Sequence, residues 1–142
     1  MKRGAADLLL AFDFGLRRIG VATANRRTGT ATPLTTLEAG REPLWEQIDT
    51  VIEQWQPGQL VVGLPDPATA KTIAAAAIAF AAELEERYGL PVARTDESLT
   101  SRAAQSELII ARRNRLMPKR IRKGTLDSHA ACLIAEQWLR EQ

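Results

Sequence analysis

Three acidic residues stand in settings where carboxylates do chemistry: Asp13, Glu97 and Asp127. Asp13 ends an apolar run, Leu-Leu-Leu-Ala-Phe-Asp-Phe-Gly (8–15). Glu97 follows a short strand-like stretch, Val-Ala-Arg-Thr-Asp (92–96). Asp127 falls in the first turn of the last predicted helix, within Lys-Gly-Thr-Leu-Asp-Ser-His-Ala-Ala (123–131). A carboxylate on an apolar element is costly to bury unless it is paired or bound to a cation. Three that converge make a hard, oxygen-rich site of the kind that holds Mg²⁺ or Mn²⁺, and such sites run phosphoryl transfer. Each residue also has a plain structural role open to it. Asp13 can accept hydrogen bonds from the turn that follows it. Asp96 and Glu97 can form a polar turn before a helix. Asp127 can complement a helix dipole, with Thr125 as the N-cap.

The elements that must position these residues follow an α/β order. Residues 7–14 read as a buried strand, and 17–25 and 29–37 as two more, the last pair joined by a turn near Arg26-Arg27-Thr28-Gly29. Together they predict a three-stranded meander. Leu44, Ile48, Val51, Ile52 and Trp55 recur at helical spacing, predicting a helix over 42–55 that Pro57-Gly58 ends. A short buried strand over 59–63, an Ala-rich helix over 69–88 stopped by Gly89 and Pro91, a strand over 92–95, and helices over 100–112 and 125–140 complete the chain. No internal repeat, low-complexity tract or interdomain linker interrupts it, so residues 1–142 read as one domain.

At about 100° per residue, Asp127, Ala131, Ile134 and Trp138 share one stripe of the last helix. That stripe is the apolar one, so Asp127 is expected to point toward the sheet. His129 lies roughly opposite and is expected to be exposed and not a ligand. Cys132 reads as a small packing residue. Asp96 and Glu97 are adjacent and face different ways in extended backbone, so one can bind metal while the other holds a loop.

Composition bounds the rest. The chain has 142 residues, 45% hydrophobic and 25% charged, ordinary values for one globular domain. One cysteine and one histidine exclude an internal disulfide and Cys-rich or His-rich metal sites. No secretion signal or membrane span is visible, and a soluble, reducing, cytoplasmic setting is expected. The net charge of +2 conceals an asymmetry. Residues 111–123 carry seven basic side chains and no acidic one, which leaves twelve basic against seventeen acidic residues elsewhere. A local basic patch is the electrostatic footprint of a polyanion partner, although a solvated loop also accounts for such a run.

Three stretches, in order, resemble one family: Leu-Ala-Phe-Asp-Phe-Gly-Leu-Arg-Arg-Ile-Gly-Val-Ala (10–22), Leu-Val-Val-Gly-Leu-Pro (60–65) followed by Thr-Asp-Glu-Ser-Leu-Thr-Ser (95–101), and Arg-Lys-Gly-Thr-Leu-Asp-Ser-His-Ala-Ala (122–131). The set is similar to the YqgF/RuvX family of the RNase H-like fold, along nearly the whole chain. The resemblance implies a five-stranded mixed sheet with helices on both faces. It also implies that Asp13, Glu97 and Asp127 meet over the sheet as catalytic and metal-binding residues. Members are bacterial nucleases implicated in maturing the 5′ end of pre-16S ribosomal RNA, and some are described as Holliday-junction resolvase-like. The chain departs from the family pattern twice. Ser98 stands where Arg usually follows Asp-Glu, which removes a phosphate or loop-ordering contact. The loop after Gly63-Leu64-Pro65 lacks the usual Asn-Met-Asp-Gly-like segment, which bears on substrate choice more than on metal chemistry.

The mechanism expected on this resemblance uses two divalent cations, ~4 Å apart. One lowers the pKa of the attacking water, and the other stabilises the leaving 3′ oxygen. Arg17 and Arg18, with Arg112, Arg113, Arg115, Lys119, Arg120, Arg122 and Lys123, are expected to hold the phosphate backbone. Aromatic residues are scarce, so shape recognition of a structured RNA or branched DNA is expected rather than base stacking. The expected partners are pre-16S rRNA or branched DNA, with ribosomal particles as a further partner, no membrane, and a monomer or homodimer. Competing classes are a junction resolvase, which needs a dimer to cut two strands symmetrically, and a non-catalytic nucleic-acid-binding module. An ATP-binding domain of the actin and sugar-kinase type needs a second domain that 142 residues do not accommodate. Phe14 and Gly15 after Asp13 look like the Asp-Phe-Gly of protein kinases, but the Gly-rich loop and His-Arg-Asp motif are missing.

Overall fold

Alternation along one strand sets the whole arrangement. In the computed structural model, which describes residues 7–38, 44–65, 71–96 and 123–142 (backbone only for 123–127), β1 spans Leu8–Asp13. Leu9 and Ala11 face one side of the sheet, and Leu10 and Phe12 the other, all four fully buried. A strand buried on both faces reads as a continuous apolar run, as this one does. It lies at the sheet's centre, between antiparallel β2 (Arg18–Asn25) and parallel β4 (Gln59–Leu64). β3 (Thr30–Glu38) pairs antiparallel with β2, and β5 (Val92–Asp96) pairs parallel with β4. The five-stranded mixed sheet thus has the order β3-β2-β1-β4-β5.

The β2–β3 hairpin turns through Arg26–Gly29. Asn25 Oδ1 accepts from the backbone N–H groups of Arg27 and Thr28, and Gly29 takes the left-handed φ of 71° that the turn requires. On β3 the register shifts: Val21 opposes Thr35 while Ala22 opposes Pro33. The extra residue, Leu34, makes a bulge on an edge strand, where a proline without N–H is tolerated.

Helices cover both faces. On the Leu10/Phe12 side, α1 (Leu44–Trp55) buries Ile48 and Val51, and α2 (Lys71–Tyr88) buries Phe80, Ala81 and Leu84. Phe80 joins three rings, with centroids 5.8 Å from Phe12, 4.9 Å from Phe14 and 5.4 Å from Trp45. Tyr88 Oη donates to Asp49, tying α2 to α1. α1 ends at Gln56, a non-glycine residue at φ 50°, and α2 ends at Gly89 with φ 62°. On the Leu9/Ala11 side lies α3 (Lys123–Arg140), whose Ile134, Ala135 and Trp138 pack with Leu9, Ala11, Ala24 and Val61. The five strands and these three helices match the elements predicted from spacing. The predicted helix over 100–112 lies outside the described residues.

Candidate active site

Asp13 is the last residue of β1, half-buried, and strand parity fixes its face. It follows Leu9 and Ala11 onto the side covered by α3. The register extends this position into a row across the sheet. Asp13 opposes Gly20 on β2 and Gly63 on β4, and Gly63 opposes Thr95 on β5. The carboxylate is therefore flanked on both neighbouring strands by residues without side chains. Thr95 is the next side chain along the row. It is only 7% exposed, and its Oγ1 accepts a hydrogen bond from Gln137 Nε2 of α3 at 3.1 Å.

The chain leaves Asp13 through a turn with no room to spare. A Cβ at Gly15 would lie 2.6 Å from the Arg18 carbonyl oxygen. This close approach brings the chain from β1 into β2, with Arg17 in the connection and Arg18 opening β2. Arg17 is exposed, and Arg18 is half-buried at the start of β2.

Parity also separates the two acidic residues at the end of β5. Val92 faces α1 and α2, while Ala93 and Thr95 face α3. Asp96 therefore falls on the side away from Asp13. It is exposed there beside a cleft of about 220 Å³ lined by Leu64, Pro65, Ala74 and Ile78. Glu97 lies outside the described residues, as do Arg112, Arg113, Arg115, Lys119, Arg120 and Arg122.

α3 begins at Lys123, two residues before the start predicted from Thr125 as cap. Thr125 is thus helical rather than capping, and Asp127 opens the second turn. The helix-dipole effect fades within the first turn, so the new boundary weakens the purely structural account of Asp127. One turn further on, Ala131 is fully buried and packs with Cys132 against Ala22, the partner of Ala11. The apolar stripe predicted for Ala131, Ile134 and Trp138 is present, each of them buried. Cys132 is a buried packing residue, as expected. His129 is half-buried rather than exposed, because the flank of a helix lying across the sheet is partly covered.

Among the described residues, no three His, Cys, Asp or Glu side chains form a metal-ligand group. Also among them, no helix is long and apolar enough to cross a membrane. Sequence reasoning missed Gly20, Gly63 and Thr95 as the row across the sheet from Asp13, and Gln137 as the α3 residue bonded to Thr95. The row's only sequence signal is strand parity, which needs the register to be read.

Residues 7–141 match the family model "RuvX: Holliday junction resolvase". The chain belongs to the RuvX family. A RuvX relative from Legionella pneumophila subsp. pneumophila (strain Philadelphia 1), named "Putative pre-16S rRNA nuclease", is 42% identical over 144 residues and covers 99% of each chain. A relative of the same name from Glaesserella parasuis serovar 5 is 45% identical over 140 residues, 96% of this chain and 99% of its own. Among solved structures, T. thermophilus RuvC in complex with a Holliday junction substrate superposes with a TM-score of 0.57 at 16% identity, over 94% of this chain and 95% of RuvC. At that identity the likeness speaks to fold, and it identifies this RuvX chain as RNase H-like.

Proposed function

We propose that this chain is a metal-dependent nuclease, with Asp13, Glu97 and Asp127 as its catalytic and metal-binding carboxylates and the 5′-extended precursor of 16S ribosomal RNA as its substrate. The observation that carries the reading is the position of Asp13. A half-buried carboxylate ends the central strand, on the face that α3 covers, between two glycines. The donor chemistry fits a divalent cation, because a carboxylate supplies hard oxygen and the cross-strand partners of Asp13 are glycines, Gly20 and Gly63. The placement of Asp96 on the face away from Asp13 supports its chain neighbour Glu97 as the partner. The buried stripe through Ala131 supports Asp127, which precedes it by one turn of the same helix.

When bound, divalent cations supply a Lewis acid and a water acidic enough to attack phosphorus near neutral pH. The chain's own residues do the positioning. Asp13, Glu97 and Asp127 hold the cation charge at one end of the sheet. Arg17 and Arg18, with Arg112, Arg113, Arg115, Lys119, Arg120, Arg122 and Lys123, grip the phosphate backbone on either side. Contacts of this kind give affinity that falls with salt and reads little sequence. Substitution of Arg120, Arg122 and Lys123 together therefore weakens binding and flattens its salt dependence. Maturation of ribosomal RNA makes ribosomal particles a partner and the cytoplasm the place of action.

The family description favours a second reading, resolution of branched DNA, in which two copies of the chain cut opposing strands. One experiment separates the two. The 5′-extended 16S precursor and a four-way DNA junction are incubated with Mn²⁺, Mg²⁺ or EDTA, using the parent chain and Asp127→Asn. Metal-dependent cutting of the RNA that the variant loses supports the proposal, and preferential cutting of the junction selects the second reading. Salt-sensitive binding without cutting of either substrate overturns both and leaves a binding module.

A further inference from the structure

The hydrogen bond between Gln137 and Thr95 joins the two elements whose relative position matters most to the proposed site. Thr95 is two residues before Glu97, at the end of β5, and Gln137 stands ten residues after Asp127 on α3. Much of the described packing between α3 and the sheet is apolar and rich in small residues: Ala22, Ala24 and Ala31 below, Ala131, Cys132 and Ala135 above, with Ile134 and Trp138 among them. Such packing sets the height of a helix over a sheet but is non-directional. A hydrogen bond is directional, and inside a partly buried interface it resists sliding. Gln137 Nε2 reaches the Thr95 hydroxyl at 3.1 Å, and Thr95 is only 7% exposed, so little water competes for the bond.

We infer that Thr95 and Gln137 are positioning residues: their bond fixes the end of β5, the strand that leads into Glu97, relative to α3, the helix that carries Asp127, and so supports cation binding. The inference rests on the metal-nuclease reading above. Groups that orient metal ligands through one intervening contact typically change metal affinity or activity about 10–100-fold when removed. Neither residue touches the cation, and their effect appears in how tightly it is held.

The test is direct Mn²⁺ binding to the full chain, followed by electron paramagnetic resonance and set beside thermal unfolding. Thr95→Val keeps the shape and removes the hydroxyl, Thr95→Ser keeps the hydroxyl, and Gln137→Leu removes the donor. Thr95→Val and Gln137→Leu are expected to raise the Mn²⁺ dissociation constant roughly 10–100-fold. Thr95→Ser is expected to stay close to the parent. Parent-like Mn²⁺ binding in Thr95→Val overturns the inference, as does a loss in Thr95→Ser equal to that in Thr95→Val. Asp13→Asn is the control for the underlying reading. A parent chain that binds no Mn²⁺, or binds it unchanged in Asp13→Asn, removes the metal site itself and this inference with it.

Discussion

Replacing Asp13 with Asn separates the chemistry of the site from its architecture. The substitution keeps the size of the side chain and one acceptor oxygen, and removes one negative charge from the end of the central strand. Gly20 and Gly63 flank the residue in register and offer no carboxylate that could take over. Asp96, the described acid at the end of β5, faces the opposite side of the sheet. A unit charge at ~4 Å under an effective permittivity of ~20 is worth ~4 kcal/mol. At ~1.4 kcal/mol per tenfold, that corresponds to about three decades. A divalent cation doubles the Coulomb term, so cleavage of the precursor RNA is expected to fall by at least ~10³-fold. Stability and nucleic-acid binding move otherwise. An exchange of equal size at a half-buried strand end is expected to shift the unfolding free energy by under ~1 kcal/mol. Binding holds or improves slightly, because one charge that repels phosphate is gone, and its salt slope is unchanged because the arginine and lysine contacts remain. The assay is single-turnover cleavage of end-labelled RNA, beside binding at two salt concentrations and a urea unfolding curve. Cleavage within tenfold of the parent would refute the assignment of Asp13 as a cation ligand.

Three further substitutions test how the fold supports that position. Phe80→Ala removes the ring that joins Phe12, Phe14 and Trp45, and the loss, read by urea unfolding, is expected to be about 3–5 kcal/mol. Gly15→Ala puts a methyl 2.6 Å from the Arg18 carbonyl oxygen, a backbone atom that cannot step aside alone. A cost of about 1–3 kcal/mol is expected, with cleavage falling further as Asp13 shifts, and a parent-like melting temperature would show that the turn yields freely. Tyr88→Phe tests the bond between α2 and α1. Burial, and then the hydrogen bond to Asp49, pushes the Tyr88 phenol above its usual 10.0. The unfolded chain therefore loses this proton first, so the stability linked to it is present below pH ~10 and declines as pH rises further. Urea midpoints measured on both sides of that pH should decline less in Tyr88→Phe than in the parent, and equal declines would exclude the linkage.

Much of the framework was legible because few alternatives satisfy it. A run such as Leu8 to Phe12, apolar at every position, suits a central strand covered on both faces, and the structure buries Leu9, Leu10, Ala11 and Phe12 from both sides. The stripe through Ala131, Ile134 and Trp138 named the face of α3 that meets the sheet. What escaped depends on pairing partners distant in sequence. The bulge at Leu34 arises from a shift against Val21 and Ala22, and Pro33 alone signals only an edge. The Gln137–Thr95 bond spans 42 residues and has no local pattern. The left-handed Gln56 at the end of α1 was hidden because glycine is the usual sign of that conformation, and Gly58 lies two residues too late. The choice between Asp96 and Glu97 was open from spacing alone. The structure places Asp96 on the face of Val92, away from Asp13, and Glu97 lies outside the described residues.

The three proposed ligands therefore differ in how firmly the fold holds them. Asp13 ends the central strand, whose position is set by pairing on both edges and by packing on both faces. Glu97 follows β5, which among the described strands pairs only with β4, and Asp127 rides on a helix whose contact with the sheet is largely of small apolar side chains. Precision in a metal site has to come from the groups that support its ligands. For Asp13 that support is the sheet itself, so disturbing it costs stability first. For the other two it is the meeting of β5 and α3, where the Thr95–Gln137 hydrogen bond can be removed without unfolding the core. Substitutions beneath Asp13, at Phe12 or Val62, should thus act through the folded fraction. Substitutions between β5 and α3 should act through the affinity for the cation in a chain that remains folded.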